Sequence, residues 1–243
     1  MKSLWIFGCS FSANNDLYLS HLKDGENFSN MKIYYDFHNK TLPDTWSTLL
    51  SEKLNLDEKN YAMGGISNQE IFHRFCKQMD SFEKGDLIIL EWTMITRFRL
   101  AWGDNHWDHI LPNNECQDPN INKQTTDEIS FNRLYKIYEE EIYDYIKVIN
   151  TISEHKNTKV YFWTIDKRLI YNVLERPDNI LMKDIVPINE EPSLVVNNFE
   201  GCMTISQEVK ELYPNYSNNH FGKNSNIKIS DLFYEQIKKD LAV

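Results

Sequence analysis

Leu87-Ile88-Ile89-Leu90, entered from Gly85-Asp86, is an unbroken run of four apolar residues. A strand with one face in water alternates polar and apolar side chains, so an unbroken run requires cover on both faces. Leu4 to Phe7 and Val160 to Trp163 have the same character. Between these runs lie apolar residues at helical spacing. They are Trp46, Leu49, Leu50 and Leu54 after Pro43-Asp44-Thr45, then Ile71, Phe72, Phe75 and Met79, then Leu134, Tyr138, Ile142, Tyr145, Ile149 and Ile152. A last stripe, Ile229, Leu232, Phe233, Ile237 and Leu241, closes the chain. Asn60 to Met63 is expected as a short strand broken by Gly64-Gly65, with Ser67 capping the next helix and Glu70 completing a capping box. Strand and helix alternate throughout, which specifies an α/β fold with a parallel sheet between helical layers.

The chain of 243 residues suits one domain spanning 1–243, with an aromatic-rich insertion at about 97–130. Thirteen Tyr and thirteen Phe supply ample core material. A formal charge of −10 argues against nucleic acid and anionic membranes as partners, since both would repel it. No apolar run approaches a bilayer span, and Met1 to Phe7 is too short for a signal peptide. Cys9, Cys76, Cys116 and Cys202 are scattered without a C-x-x-C pair, so reduced thiols in a cytoplasmic setting are the expectation.

Chemistry-bearing residues gather where strands end. Gly8-Cys9-Ser10 follows the first apolar run, and Ser10 there is either a nucleophile or, like Ser12, a helix cap. Gly64-Gly65 leaves a backbone N–H able to approach a substrate oxygen. Trp92-Thr93 follows the strand from Leu87, and Asn219-His220-Phe221-Gly222 precedes the final helix.

In that order these segments resemble the SGNH (GDSL-like) hydrolases. Gly8-Cys9-Ser10 stands where that family has Gly-Asp-Ser, Gly65 matches its second-block glycine and His220 its last-block histidine. The resemblance implies a three-layer α/β/α fold with a mostly parallel, flavodoxin-like central sheet. It also implies a serine esterase for a small or carbohydrate-linked acyl ester, needing neither cofactor nor metal. Ser10 would be the nucleophile, His220 its general base, and the N–H groups of Ser10 and Gly65 the oxyanion donors. Thr93 would add a third donor, with Asn68 contacting substrate.

Three departures bear on activity. Cys9 replaces the first-block aspartate, and Glu91-Trp92-Thr93-Met94 replaces the third block's Gly-x-Asn-Asp. Ser217, Asn218 and Asn219 occupy the positions where the triad acid is expected. A neutral residue there can hold the imidazole ring without stabilising its cation. The alternatives are a Ser–His dyad, an acid from elsewhere (Asp16, Asp166 and Asp231 by type), or a catalytically silent module that binds a sugar or protein.

The stretch from Arg97 to Asn132 is expected as a lid or wall over the pocket. Trp102 and Trp107 would stack on a sugar or pack on a partner, a contact that would make a homo-oligomer, and Arg97 with Arg99 would take an anionic group. His106-x-x-His109 with Asp104 and Asp108 has suitable metal-ligand types, but its spacing on a loop is weakly diagnostic, and no metal is expected.

Overall fold

The structure, a computed structural model, describes residues 2–15, 19, 29–94, 98–102, 106–110, 131–166, 169, 181, 203–216, 218 and 220–241. In chain order its elements are β1 (Ser3–Phe7), α1 (Ser29–Phe37), α2 (Trp46–Leu54), β2 (Asp57–Asn60), α3 (Asn68–Gln78) and a 3-10 turn (Met79–Ser81). There follow β3 (Leu87–Trp92), β4 (Phe98–Trp102), β5 (His106–Ile110), α4 (Phe131–Lys156), β6 (Lys159–Thr164), α5 (Ile205–Val209) and α6 (Lys223–Leu241).

Strands β2, β1, β3 and β6 pair in that order, all parallel. This is the flavodoxin-like order, with helices on both faces. The chain moves outward from β1 to β2, then returns across β1 to β3 and continues to β6. Because crossovers are right-handed, that reversal puts α2 and α3 on opposite faces. Side-chain packing follows suit. Leu4, Ile6, Leu87 and Ile89 face α2 and α6 through Trp46, Leu50, Ile229 and Phe233. Trp5, Phe7, Ile88 and Leu90 face α3 and α4 through Ile71, Phe75, Ile142 and Ile149. The period-2 alternation within each apolar run thus feeds two separate cores.

The helices stop where the sequence permits a left-handed residue. Asn55 and Asn157, both at φ 54°, end α2 and α4 and turn the chain into β2 and β6. At the amino ends of the strands, buried Asp86 accepts from Ser3 N–H (2.8 Å) and Trp5 Nε1–H (2.8 Å), which joins the β1 and β3 layers. Beyond β6, Leu181 N–H donates to Phe162 O at 2.8 Å.

Two local expectations are corrected. The second strand is Asp57–Asn60 rather than Asn60 to Met63. Among the described residues it pairs only with β1 and is partly exposed, so it needs no apolar run. The Trp- and His-containing stretch expected as a loop forms an antiparallel hairpin, β4 with β5, in which Trp102 pairs with His106 and Ala101 with Trp107. Ser67 does cap α3, accepting from Glu70 N–H (3.3 Å), and the Glu70 carboxylate pairs with Arg74. No helix among the described residues is long and apolar enough to cross a membrane.

Candidate active site

The reversal of strand order between β1 and β3 opens a crevice at their carboxyl ends, the usual ligand position in an open α/β sheet. The chain leaves β1 at Gly8 and turns at once, with Ser12 N–H and Ala13 N–H both donating to Cys9 O (3.1 Å each). Trp46 Nε1–H donates to Phe11 O (2.9 Å) and Asn60 Nδ2–H to Ser12 O (2.8 Å), so the turn is anchored from α2 and β2. Ser12 is fully buried, whereas Ser10 is half-buried and lines a cleft. Of the two serines, only Ser10 is placed to meet a substrate.

Beneath this turn lies a carboxylate. Glu91, fully buried near the end of β3, accepts Cys9 N–H on Oε2 (3.0 Å) and the Cys9 thiol on Oε1 (2.8 Å). Gly8 makes room for it. A methyl group at position 8 would lie 2.7 Å from both Glu91 Cβ and Oε2, inside contact distance.

After β2 the chain runs on beside the end of β1, with Tyr61 N–H bonded to Ile6 O (2.8 Å) and Met63 N–H to Gly8 O (3.0 Å). Gly64 thereby reaches the Ser10 turn, where a methyl added to it would lie 3.6 Å from Ser10 Cβ. Gly65 follows at φ +77°, a conformation L side chains rarely adopt, with open space around it. The Gly64–Gly65 peptide therefore starts beside Ser10.

Asn68 and Thr93 are bonded to each other. Asn68 Oδ1 accepts Thr93 N–H (2.8 Å) and Asn68 Nδ2–H donates to Thr93 O (3.1 Å), so one buried amide joins the start of α3 to the end of β3. Thr93 is fully buried.

His220 arrives on a segment held by residues 203–206. Thr204 and Phe221 form an antiparallel bridge, Ile205 N–H donates to His220 O (2.9 Å) and Ser206 N–H to Asn218 O (3.1 Å). Asn218 Oδ1 lies 3.0 Å from His220 N and 2.7 Å from His220 Nδ1. A backbone N–H can only donate, so the Asn218 atom facing it is the oxygen. The same oxygen then accepts from Nδ1, which must carry the proton. That leaves Nε2 as the basic nitrogen of the neutral ring. Asn218 Nδ2–H in turn donates to the Tyr216 hydroxyl (3.1 Å), consistent with that orientation.

Ser10 and His220 line one cleft, walled by Phe11, Met31, Ile205 and Phe221. The other acids proposed by type are placed elsewhere. Asp231 is exposed and paired with Lys53 (2.5 Å), and buried Asp166 follows β6 without lining the cleft. Asp16, Ser217, Asn219 and Arg97 lie outside the described residues, as do Cys116 and Cys202; Trp102 and Trp107 are placed only as strand positions of the hairpin.

Sequence reasoning missed Glu91 and a second, partly buried carboxylate, Glu208. Glu208 accepts the Tyr34 hydroxyl (2.9 Å) and Asn224 N–H (3.1 Å), with His38 Nε2 at 4.0 Å. Burial first, then Glu208, pushes the Tyr34 hydroxyl well above the usual range, so it stays protonated as a cleft wall. Gly222 offered the one sequence signal, because its missing side chain leaves space for the Glu208 carboxyl group.

No protein-family model matches the chain, and no curated protein matches it. Among solved structures, the X-ray structure of protein YxiM from Bacillus subtilis is similar with a TM-score of 0.49 and 13% identity, covering 98% of this chain and 56% of that one. The chain thus spans little more than half that neighbour's length.

Proposed function

We propose that the protein is a serine ester hydrolase of the SGNH type, acting on a small or carbohydrate-linked acyl ester. The observation that carries this reading is the double acceptance by Asn218 Oδ1, which makes Nε2 of His220 the base in the cleft it shares with Ser10. Ser10 Oγ attacks the ester carbonyl while its proton passes to His220 Nε2. The N–H groups of Ser10 and Gly65 take the oxyanion, the largest stabilising contribution in acyl transfer. His220 then returns the proton to the leaving alkoxide, giving an acyl-serine and free alcohol. Water, deprotonated by the same nitrogen, attacks the acyl-serine and releases the acid and Ser10.

The chemistry is slow in this reading. Asn218 orients the ring but carries no charge to stabilise imidazolium, and replacing the triad carboxylate by its amide costs a serine protease about 10⁴ in turnover. The same neutral residue favours a second reading, a module that keeps the cleft to bind a sugar or protein. Reduced thiols at Cys9 and Cys76 would suit a cytoplasmic setting for either.

Turnover of p-nitrophenyl acetate and labelling by a fluorophosphonate, each compared with Ser10→Ala, separate the two. Turnover and labelling that vanish in the variant support the hydrolase. Identical behaviour of the two proteins overturns it in favour of the binding module.

A further inference from the structure

The geometry points to Glu91 as the positioning residue of the nucleophile turn, a buried carboxylate anchor at the end of the third strand. The inference rests on the hydrolase reading for its consequence, but not for its geometry. Two departures from the SGNH pattern are the two halves of one contact. Position 9, where that family has aspartate, is a cysteine, and position 91, where its third block has glycine, is a glutamate. In the fold these two side chains meet, Cys9 Sγ to Glu91 Oε1 at 2.8 Å, with Cys9 N to Oε2 at 3.0 Å. One carboxylate therefore lies against the end of β1, carried by β3.

Its position explains its neighbours. A buried carboxylate is costly unless donors meet its oxygens, and here both oxygens have one. Gly8 must lack a side chain because Glu91 occupies that volume. The two bonds hold the Cys9 peptide from below, and the next residue is Ser10, whose N–H and hydroxyl both act in the proposed reaction. A turn fixed to a buried charge delivers those groups with little reorganisation, which is where positioned donors gain their effect. Glu91 acts on the proposed reaction through the turn.

The test exchanges the charge across the contact, using Glu91→Gln, Cys9→Asp and the double variant. In Glu91→Gln the amide oxygen still accepts Cys9 N–H, but the anion is gone. Cys9→Asp alone sets two carboxylates against each other. In the double variant the introduced amide can donate to the introduced carboxylate while its oxygen accepts the backbone N–H of position 9, so the contact is restored with the charge on the other strand. Amide hydrogen exchange across residues 7–13 reports the turn, while kcat and KM for p-nitrophenyl acetate report its consequence.

Both single variants are expected to exchange about tenfold faster across 7–13 and to lose about tenfold or more in kcat at nearly constant KM, the mark of a lost transition-state interaction. The double variant should recover both readouts to within about threefold of the native protein. Unchanged protection in Glu91→Gln overturns the proposal whatever the activity does. So does a loosened turn with unchanged kcat in an active enzyme, or a double variant no better than the singles. If a single variant fails to fold, the double still decides: a folded, protected double supports the proposal and an unfolded one overturns it. If the native protein neither turns over nor labels at Ser10, the hydrolase reading has failed separately. In that case exchange across 7–13 alone decides whether Glu91 holds the turn.

Discussion

Phe11 stacks on the imidazole of His220, with ring centroids 4.7 Å apart and planes inclined by 28°. The residue after Ser10 thus supports the His220 ring, and it meets Phe221 edge-on at 5.2 Å. Two segments separated by more than two hundred residues are joined at the point where proton transfer is proposed. Phe11→Ala should remove that support together with a nearly buried ring, at about 3 kcal/mol of stability. It should also lower kcat by roughly tenfold or more, since small misplacements of reacting groups are expensive. Phe11→Leu, which keeps apolar volume without the stack, should recover most of the stability and little of the rate. Urea denaturation and p-nitrophenyl acetate kinetics on the two variants check both halves. Equal rates for Leu and Phe at position 11 would remove the stack from the mechanism.

Asn218 is the position at which activity should be gained by substitution. Its oxygen already takes the Nδ1 proton of His220, so Asn218→Asp places a charge where geometry needs no change. The existing donors, His220 N–H and Nδ1–H, remain to meet the new carboxylate. The Tyr216 hydroxyl, now an acceptor from Asn218 Nδ2, can turn to donate. Turnover should rise by at least about tenfold, with the 10⁴ lost on removing a protease's triad acid as the ceiling. Asn218→Ala, which frees the ring, should fall below the native rate. A lower kcat in folded Asn218→Asp would count against His220 as a base paired through Nδ1.

What the sequence disclosed, and what it withheld, follow from how far each interaction reaches along the chain. Strands β1, β3 and β6 were legible because burial on both faces writes itself into consecutive residues. Helix α4 was legible because Ile142 and Ile149 repeat with the helical period against one core. Strand β2 was misplaced by three residues because a partly exposed strand of Asp, Glu, Lys and Asn carries no apolar signature. The hairpin of β4 and β5 was hidden by its mixed polar and aromatic composition. At the site, Ser10 and His220 follow strand and helix boundaries that local pattern reveals. Glu91 does not, because its meaning lies in a bond to Cys9, 82 positions away. Nor does Asn68 disclose its bonds, because nothing local shows that Thr93's backbone would take both ends of its amide.

His38 should give the fold an acid-sensitive component. Burial holds its imidazole below the usual range, Glu208 pulls the opposite way, and Lys223 adds to the lowering. The neutral Tyr34 ring packs against it edge-on at 4.6 Å. The native state therefore resists a proton that the unfolded chain accepts near pH 6.5, so the contribution is intact above about that value and is lost as pH falls through the folded pKa. His38→Gln cannot take up the proton. The Tm difference between wild type and variant should shift in the variant's favour between about pH 7.5 and pH 5. A difference that is flat across that range would show that His38 titrates alike in both states.

Asn226 offers a sharper pH signature, because its two amide ends have opposite partners. Oδ1 accepts Trp46 N–H at the start of α2 (3.0 Å), while Nδ2 donates to Phe221 O (3.2 Å) and Gly222 O (3.1 Å) beside the His220 segment. The side chain is nearly buried and lines the cleft. Asn226→Ala leaves one donor and two carbonyls without these bonds, at about 1–3 kcal/mol. Asn226→Asp keeps the Trp46 bond but sets a second carboxylate oxygen against two carbonyls, so at pH 7 it should be the worse of the two. Protonation converts that oxygen into a donor to one carbonyl. The new carboxyl should then have a folded pKa above its unfolded value of about 3.9, and its deficit relative to wild type should shrink as pH falls toward 4. Denaturation of the three proteins at pH 7 and pH 4.5 measures this. The alanine variant should show no such narrowing, and a constant deficit for Asn226→Asp would mean that the amide does not bridge the α2 start and the histidine segment in the orientation given.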